Sequence, residues 1–441
     1  MKKKTLFRII LAAVVAALLG GCLYLNSLMP IITGYAAKNL ASDTFVSGRE
    51  PADIEALDLH FSFIKFVRNK VDYEKRTVTS RFLWSKSVAL YRDGYGVTLL
   101  RGRKAAKKLL AQKYPLPPET DPAPAFAPGD SALCARLSPI AKDLVDDHAY
   151  NGTPFAFVVL HKGRLVAERY REGITMDTKL LSWSMGKSFT NALVGIMAGD
   201  GLLDIYAPTG IPQWQNDDRK SITLNDLMQM QSGLEWNEDY GNRSDVNLML
   251  HREQDMGLFA LNKPLEHAPG SFWYYSSGST NIVMRYLRGK FASDKDFLTY
   301  QRERLFVPLG IRNPVFEPDM SGTPVGSSYL YVTARDFARF GQLFLDDGCI
   351  GEQRILPEGW AAYSATPASA SQGGYGAFFW LNRNHHWPDA PEDLLECRGH
   401  DGQEIFIIPS KDLVVVELGY SPKPDRVVDF NALLKDIIAA L

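Results

Sequence analysis

Apolar and polar positions fall into distinct regimes along the chain. From Ile9 to Ala37 no side chain is charged, and an unbroken apolar run covers Ile9–Leu19. Between Thr77 and Leu100, the residues Val78, Ser80, Phe82, Trp84, Val88 and Leu90 partly alternate with polar neighbours. Such alternation predicts a half-buried strand. The Asp93-Gly94 step before Tyr95–Leu100 predicts a hairpin turn. Arg101–Gln112, rich in Lys, Ala and Leu, predicts a helix. A second hairpin is expected where Phe155–Leu160 and Leu165–Tyr170 flank His161–Arg164. Helical spacing dominates from Phe189 to about Leu345, and strand-like runs return at Gly376–Leu381, Glu404–Ile408 and Leu413–Leu418. A sheet split between the two ends of a domain, with helices inserted, predicts an α+β fold. No internal repeat is present.

Punctuation divides the chain further. Six prolines lie between Tyr114 and Asp130, which excludes a helix or central strand and favours an extended connector or a strap across the domain. This gives an N-terminal segment at 1–33, an accessory region at 34–113, a Pro-rich connector at 114–130 and a main domain at 131–441. The N-terminal segment has a basic head (Lys2, Lys3, Lys4, Arg8) before its apolar run, the pattern of an export signal. Leu19-Gly20-Gly21-Cys22 resembles a bacterial lipobox and makes Cys22 a lipidation candidate. Apolar residues continue through Leu25, so an uncleaved anchor helix is also open. Both readings place the remaining chain outside the cytoplasm, tethered to a membrane and facing the periplasm or cell surface.

Composition narrows the classes. The chain has 441 residues, 46% of them hydrophobic and 22% charged, which excludes disorder and a multi-span membrane protein. Basic residues number 49 against 50 acidic, so no basic field for nucleic acid exists. Of the four cysteines, Cys134, Cys349 and Cys397 would meet an oxidising compartment; at least one stays unpaired, and the sequence selects no pair. No zinc spacing, His-Glu-x-x-His, P-loop or dinucleotide fingerprint occurs, so no metal or cofactor is expected. A Gly-x-Ser-x-Gly nucleophile elbow is missing too.

Three short stretches carry candidate chemistry. In Ser184-Met185-Gly186-Lys187 the serine and lysine are three apart at a helix start, hence a turn apart on one face. A lysine takes a serine proton once desolvation lowers its pKa from about 10.4. The apolar neighbours Leu180, Leu181, Trp183 and Phe189 suggest such burial. The second stretch, Pro269–Ser277, leads from a Pro-Gly turn through aromatic residues to Tyr275 and a helix from about Asn281. The third, Gly399–Gln403, precedes the strand Glu404–Ile408. Taken singly, each also suits an ordinary surface helix, aromatic core or glycine turn.

Together and in this order, the three stretches resemble the serine hydrolases related to β-lactamases and penicillin-recognising enzymes. The likeness is to the class C and esterase-like branch that includes the 6-aminohexanoate-dimer hydrolases, which cleave small linear amides from nylon by-products. It covers roughly residues 130–441, and Leu227–Gly233, Trp236–Tyr240 and Thr333–Gly341 fit the same branch. The resemblance implies a β-lactamase/transpeptidase-like fold, an antiparallel sheet flanked by helices with a mostly helical subdomain. It implies Ser184 as acylated nucleophile, Lys187 as its proton acceptor, and Tyr275 as proton shuttle. The Ser184 and Gln403 N–H groups would form the oxyanion hole. Ser277 stands where the family has asparagine in Tyr-x-Asn, and His400-Asp401-Gly402 stands for Lys-Thr-Gly. These residues and Tyr240 are the implied substrate contacts. Both departures remove groups that hold a β-lactam. The expected activity is therefore hydrolysis of a small ester or linear amide. A D-alanyl-D-alanine peptidase and a catalytically silent cell-envelope binding protein on the same scaffold remain as alternatives.

Overall fold

Strands whose every residue is apolar need cover on both faces, and the main domain supplies it. The computed structural model describes residues 3–102, 107, 109, 111–422 and 426–441. Its largest sheet has six antiparallel strands: β5 (Pro154–His161), β6 (Arg164–Tyr170), β12 (Trp380–Leu381), β13 (Leu395–Arg398), β14 (Glu404–Ile408) and β15 (Leu413–Gly419). Their order is β12-β13-β14-β15-β5-β6. The β15–β5 pairing, with Val416 opposite Val158, joins the two ends of the domain as expected. Phe157, Val159, Phe406 and Val415 face the helices Ser131–Val145 and Phe430–Ala440. Val158, Leu160, Ile405 and Val414 face the other way, towards Phe337 and Phe340 of helix Ala334–Leu345 and the helical subdomain. The fold is the α+β, β-lactamase/transpeptidase-like arrangement.

The accessory region is built around one long helix. Helix α1 runs unbroken from Lys3 to Phe45, so it straddles the expected division at residue 33. Phe7–Leu25 is exposed, whereas Met29, Ala36, Ala37, Leu40 and Ala41 are buried. The buried half packs on a four-stranded sheet ordered β1 (Arg68–Asp72), β2 (Thr77–Phe82), β3 (Ser85–Arg92), β4 (Gly96–Leu100). Thr33 Oγ1 lies 2.8 Å from Ser87 Oγ near one end of β3, and Phe45 packs 5.6 Å from Tyr91 near the other. Lys38 of α1 pairs with Glu317 of the main domain, and both are buried. Glu317 also accepts from the Val97 N–H at 2.6 Å and from Ser42 Oγ at 3.0 Å. One carboxylate thus fastens α1, β4 and the main domain together.

Several expectations shift in detail. The Asp93-Gly94 hairpin forms between β3 and β4, but the single run read over Val78–Leu90 is two strands. They turn at Leu83-Trp84, where Leu83 takes φ +49° without any turn-type residue to announce it. The expected strand Gly376–Leu381 shrinks to β12, because the chain folds back on itself from Tyr375 to Trp380 with Phe378 at φ +60°. The expected helix Arg101–Gln112 falls largely outside the described residues. The Pro-rich segment lies across the domain: Glu119 pairs with Arg302, Arg339 stacks over Phe126 at 4.3 Å, and Gly129 donates to the Leu165 carbonyl at 2.9 Å. All four cysteines are free.

Candidate active site

The nucleophile candidate is presented by a strained entry into a helix. The short strand β7 (Lys179–Leu181) passes through Trp183, whose φ of +41° is unusual for a bulky residue. The chain then enters the helix Gly186–Gly199. Ser184 Oγ and Lys187 Nζ are 2.9 Å apart, as the one-turn spacing requires. Lys187 also donates to Ser277 Oγ at 3.0 Å and to the Ser327 carbonyl at 3.2 Å, and its ammonium lies 4.7 Å over the Tyr275 ring. Ser184 is 9% exposed and Lys187 only 1%. Burial lowers the Lys187 pKa to about 8, with the Glu238 carboxylate pulling in the opposite direction.

Tyr275 stands on the other side of the serine. Its ring stacks on Trp380 at 5.3 Å and meets the edge of Tyr375 at 5.9 Å, which fixes its direction. Burial, helped by Glu238, pushes the phenol pKa far above its ordinary value, while a hydrogen bond with Ser184 opposes the shift. The phenol therefore stays protonated. The residues after it begin the helix Ser277–Arg288, four positions before the expected Asn281 start; Ser276 caps it, accepting from the Ser279 N–H at 3.0 Å.

Glu238 is the functional neighbour that sequence reasoning left unassigned. Its carboxylate accepts from Ser277 Oγ at 2.5 Å, from the Ser277 N–H at 2.9 Å and from Trp236 Nε1 at 2.5 Å. Tyr240 OH donates to it at 3.3 Å. A chain Glu238–Ser277–Lys187–Ser184 results. Ser277, which stands where the family has asparagine, is fully buried and bonded to both Lys187 and Glu238. The arrangement needs a glycine next door, since a Cβ on Gly278 would come within 2.6 Å of the Trp236 ring. The signal available in the sequence was the phrase Trp236–Tyr240, where the first of two acids, Glu238, sits two residues before the tyrosine already singled out.

The third stretch closes the site. His400 stacks on Tyr240 at 4.5 Å and meets Trp183 edge-on at 5.4 Å. Its Nε2 lies 3.3 Å from Asp401 Oδ1, and burial raises the Asp401 pKa against the pull of His400. Asp401 and Gly402 both take positive φ, +60° and +95°. Gln403 follows with its side-chain amide clamped on Gly419, donating at 2.6 Å and accepting at 3.2 Å. The Gln403 N–H donates to no backbone carbonyl in the described turns, loops and caps. A cavity of about 680 Å³ borders this loop, with His60 and Phe61 of the accessory region in its wall, and does not touch Ser184. A larger one of about 880 Å³ lies elsewhere, between the accessory sheet and the proline strap.

An S-x-x-K serine beside a buried lysine, a tyrosine and a strand-edge loop on this α+β scaffold is the layout of the penicillin-recognising and esterase-like hydrolases. The chain belongs to the Beta-lactamase family, whose model matches residues 140–439; members of that family are serine hydrolases. A 6-aminohexanoate-dimer hydrolase from Paenarthrobacter ureafaciens is 25% identical over 297 residues, covering 61% of this chain and 73% of its own. A structure from Bacillus anthracis, named for the same hydrolase, is 24% identical with a TM-score of 0.54, over 68% of this chain and 80% of its own. A family VIII carboxylesterase structure is 15% identical with a TM-score of 0.54, over 72% and 99%.

Proposed function

We propose that the protein is an exported, membrane-tethered serine hydrolase that cleaves a small ester or linear amide through a Ser184 acyl-enzyme. The observation that carries this reading is the 2.9 Å contact between Ser184 Oγ and a Lys187 held at a pKa of about 8 by burial. Neutral Lys187 accepts the Ser184 proton as the oxygen attacks the carbonyl carbon. The Ser184 and Gln403 N–H groups receive the developing oxyanion, each worth about 2.7–4 kcal/mol of barrier. Tyr275, protonated and against the serine, hands its proton to the departing alcohol or amine and takes from Lys187 the proton that came from Ser184. Water then releases the acyl group by the reverse relay. Tyr240 and the stacked His400 form the wall that a substrate meets, with Asp401 and Gly402 shaping the loop behind it.

The exposed apolar stretch of α1 supports the tether. Among the described residues it is the one helix long and apolar enough to cross a membrane. Ser184→Ala is expected to abolish both p-nitrophenyl ester hydrolysis and labelling by a fluorophosphonate probe. Labelling that persists in that variant would falsify the nucleophile assignment.

A further inference from the structure

The far end of the accessory sheet is built for a surface of its own. The β2–β3 turn consists of Leu83 and Trp84, closed by the Phe82–Ser85 pair. Leu83 is 67% exposed and Trp84 60% exposed, although both are large apolar residues that a free-standing turn has no use for. Phe63 and Phe66, on the 3₁₀ turn beside them, are each 59% exposed. Phe63 lies 6.4 Å from the Phe82 ring, so the turn and the aromatic pair are one patch.

The position of this patch along α1 decides what covers it. Trp84 Nε1 donates to Asn26 Oδ1 at 3.0 Å. Asn26 directly follows Ile9–Leu25, an uncharged stretch of 17 residues whose length of about 26 Å approaches a bilayer core of about 30 Å. The indole therefore sits at the level where such a helix leaves the hydrocarbon, the depth tryptophan favours in membrane proteins. The sheet runs away from that level along α1, with Phe45 against Tyr73 and Tyr91 at its opposite end. Exposed Lys65, Arg68, Arg81 and Lys86 surround the patch, and among the described residues none of them is in an ion pair. Apolar tips ringed by free cations match the two layers of an anionic phospholipid surface.

We infer that the accessory sheet docks the protein onto the bilayer beside its own anchor, with Leu83, Trp84, Phe63 and Phe66 seated among the phospholipid headgroups. The docking rests on the tether proposed above and adds a second, side-on contact to it. That contact orients the body. The loop Asn242-Arg243, just beyond Tyr240, lines a groove with Leu23, Tyr24 and Ser27 of α1, so this loop lies beside the anchor.

Tryptophan quenching tests this without using the catalytic site. The chain has eight tryptophans; α1 contains none, and all except Trp84 are buried or half-buried. The full-length protein is reconstituted into phosphatidylcholine/phosphatidylglycerol vesicles with acyl chains brominated near the headgroup, and into unbrominated vesicles as reference. Bromolipid should quench on the order of one eighth of the fluorescence, and Trp84→Phe should remove that component while the protein still floats with the vesicles. Flotation without quenching, or quenching undiminished in Trp84→Phe, overturns the docking and leaves the tether standing. Loss of flotation overturns the tether, and the docking with it.

Discussion

In the proposed mechanism Lys187 is the residue on which the chemistry turns. Its burial holds the pKa near 8 while Glu238 raises it. The neutral base is scarce below that pH and abundant above it, so acylation should climb with pH through a limb near 8. Removing the opposing carboxylate in Glu238→Gln should move the limb to lower pH, as a pH profile of the acylation burst will read. A limb unmoved or shifted upward would count against the Glu238–Ser277–Lys187 chain. The sequence announced Ser184 and Lys187 because both lie on one helix turn, where spacing dictates contact. Glu238 was silent because its partner Ser277 lies 39 positions away, and only the folded chain brings them within 2.5 Å. Trp183's positive φ was equally unreadable, since nothing in a tryptophan declares a left-handed backbone.

Among the elements, α1 behaves as two helices in one. Its second half is a core helix, closed over by the accessory sheet and fastened by the Lys38–Glu317 pair. Lys38→Met should cost about 3–5 kcal/mol in thermal or urea unfolding, because Glu317 would stay buried without its cation. Adding Glu317→Gln should recover part of the loss; a single variant as stable as the parent would exclude a structural role for the pair. The strands of the main domain were legible, since β5, β14 and β15 are largely apolar runs bounded by turns and β6 pairs with β5 across a short hairpin. Short β12 and the Leu83-Trp84 turn were not. Both depend on backbone angles that their residues do not favour, Phe378 at +60° and Leu83 at +49°. Helix α1 runs through residue 33 without a break, because apolar composition alone does not separate its exposed half from its buried half.

For the whole molecule, the proposed tether and the proposed chemistry fall on separate parts: the exposed half of α1 lies outside the main domain. Deleting residues 2–25 takes away the exposed stretch Phe7–Leu25 and leaves the buried half of α1 in place. The shortened protein should keep its unfolding midpoint and hydrolyse a soluble p-nitrophenyl ester within about twofold of the full chain. It should no longer float with vesicles. A truncated protein that still floats would place the main attachment elsewhere. The family likeness was visible as three ordered motifs within the main domain, whereas the packing of residues 34–113 against it rests on contacts hundreds of positions apart, such as Val97 with Glu317.

The unbroken helix also sets a stand-off distance. Only six residues, Leu23 to Leu28, lie between Cys22 and the buried Met29, about 9 Å of helix. If the proposed tether holds, through an uncleaved helix or a lipidated Cys22, no slack remains for the rest of the chain to swing away from its support. The enzyme would then sample a thin, fixed layer of the compartment, and its effective substrate pool is the concentration within that layer.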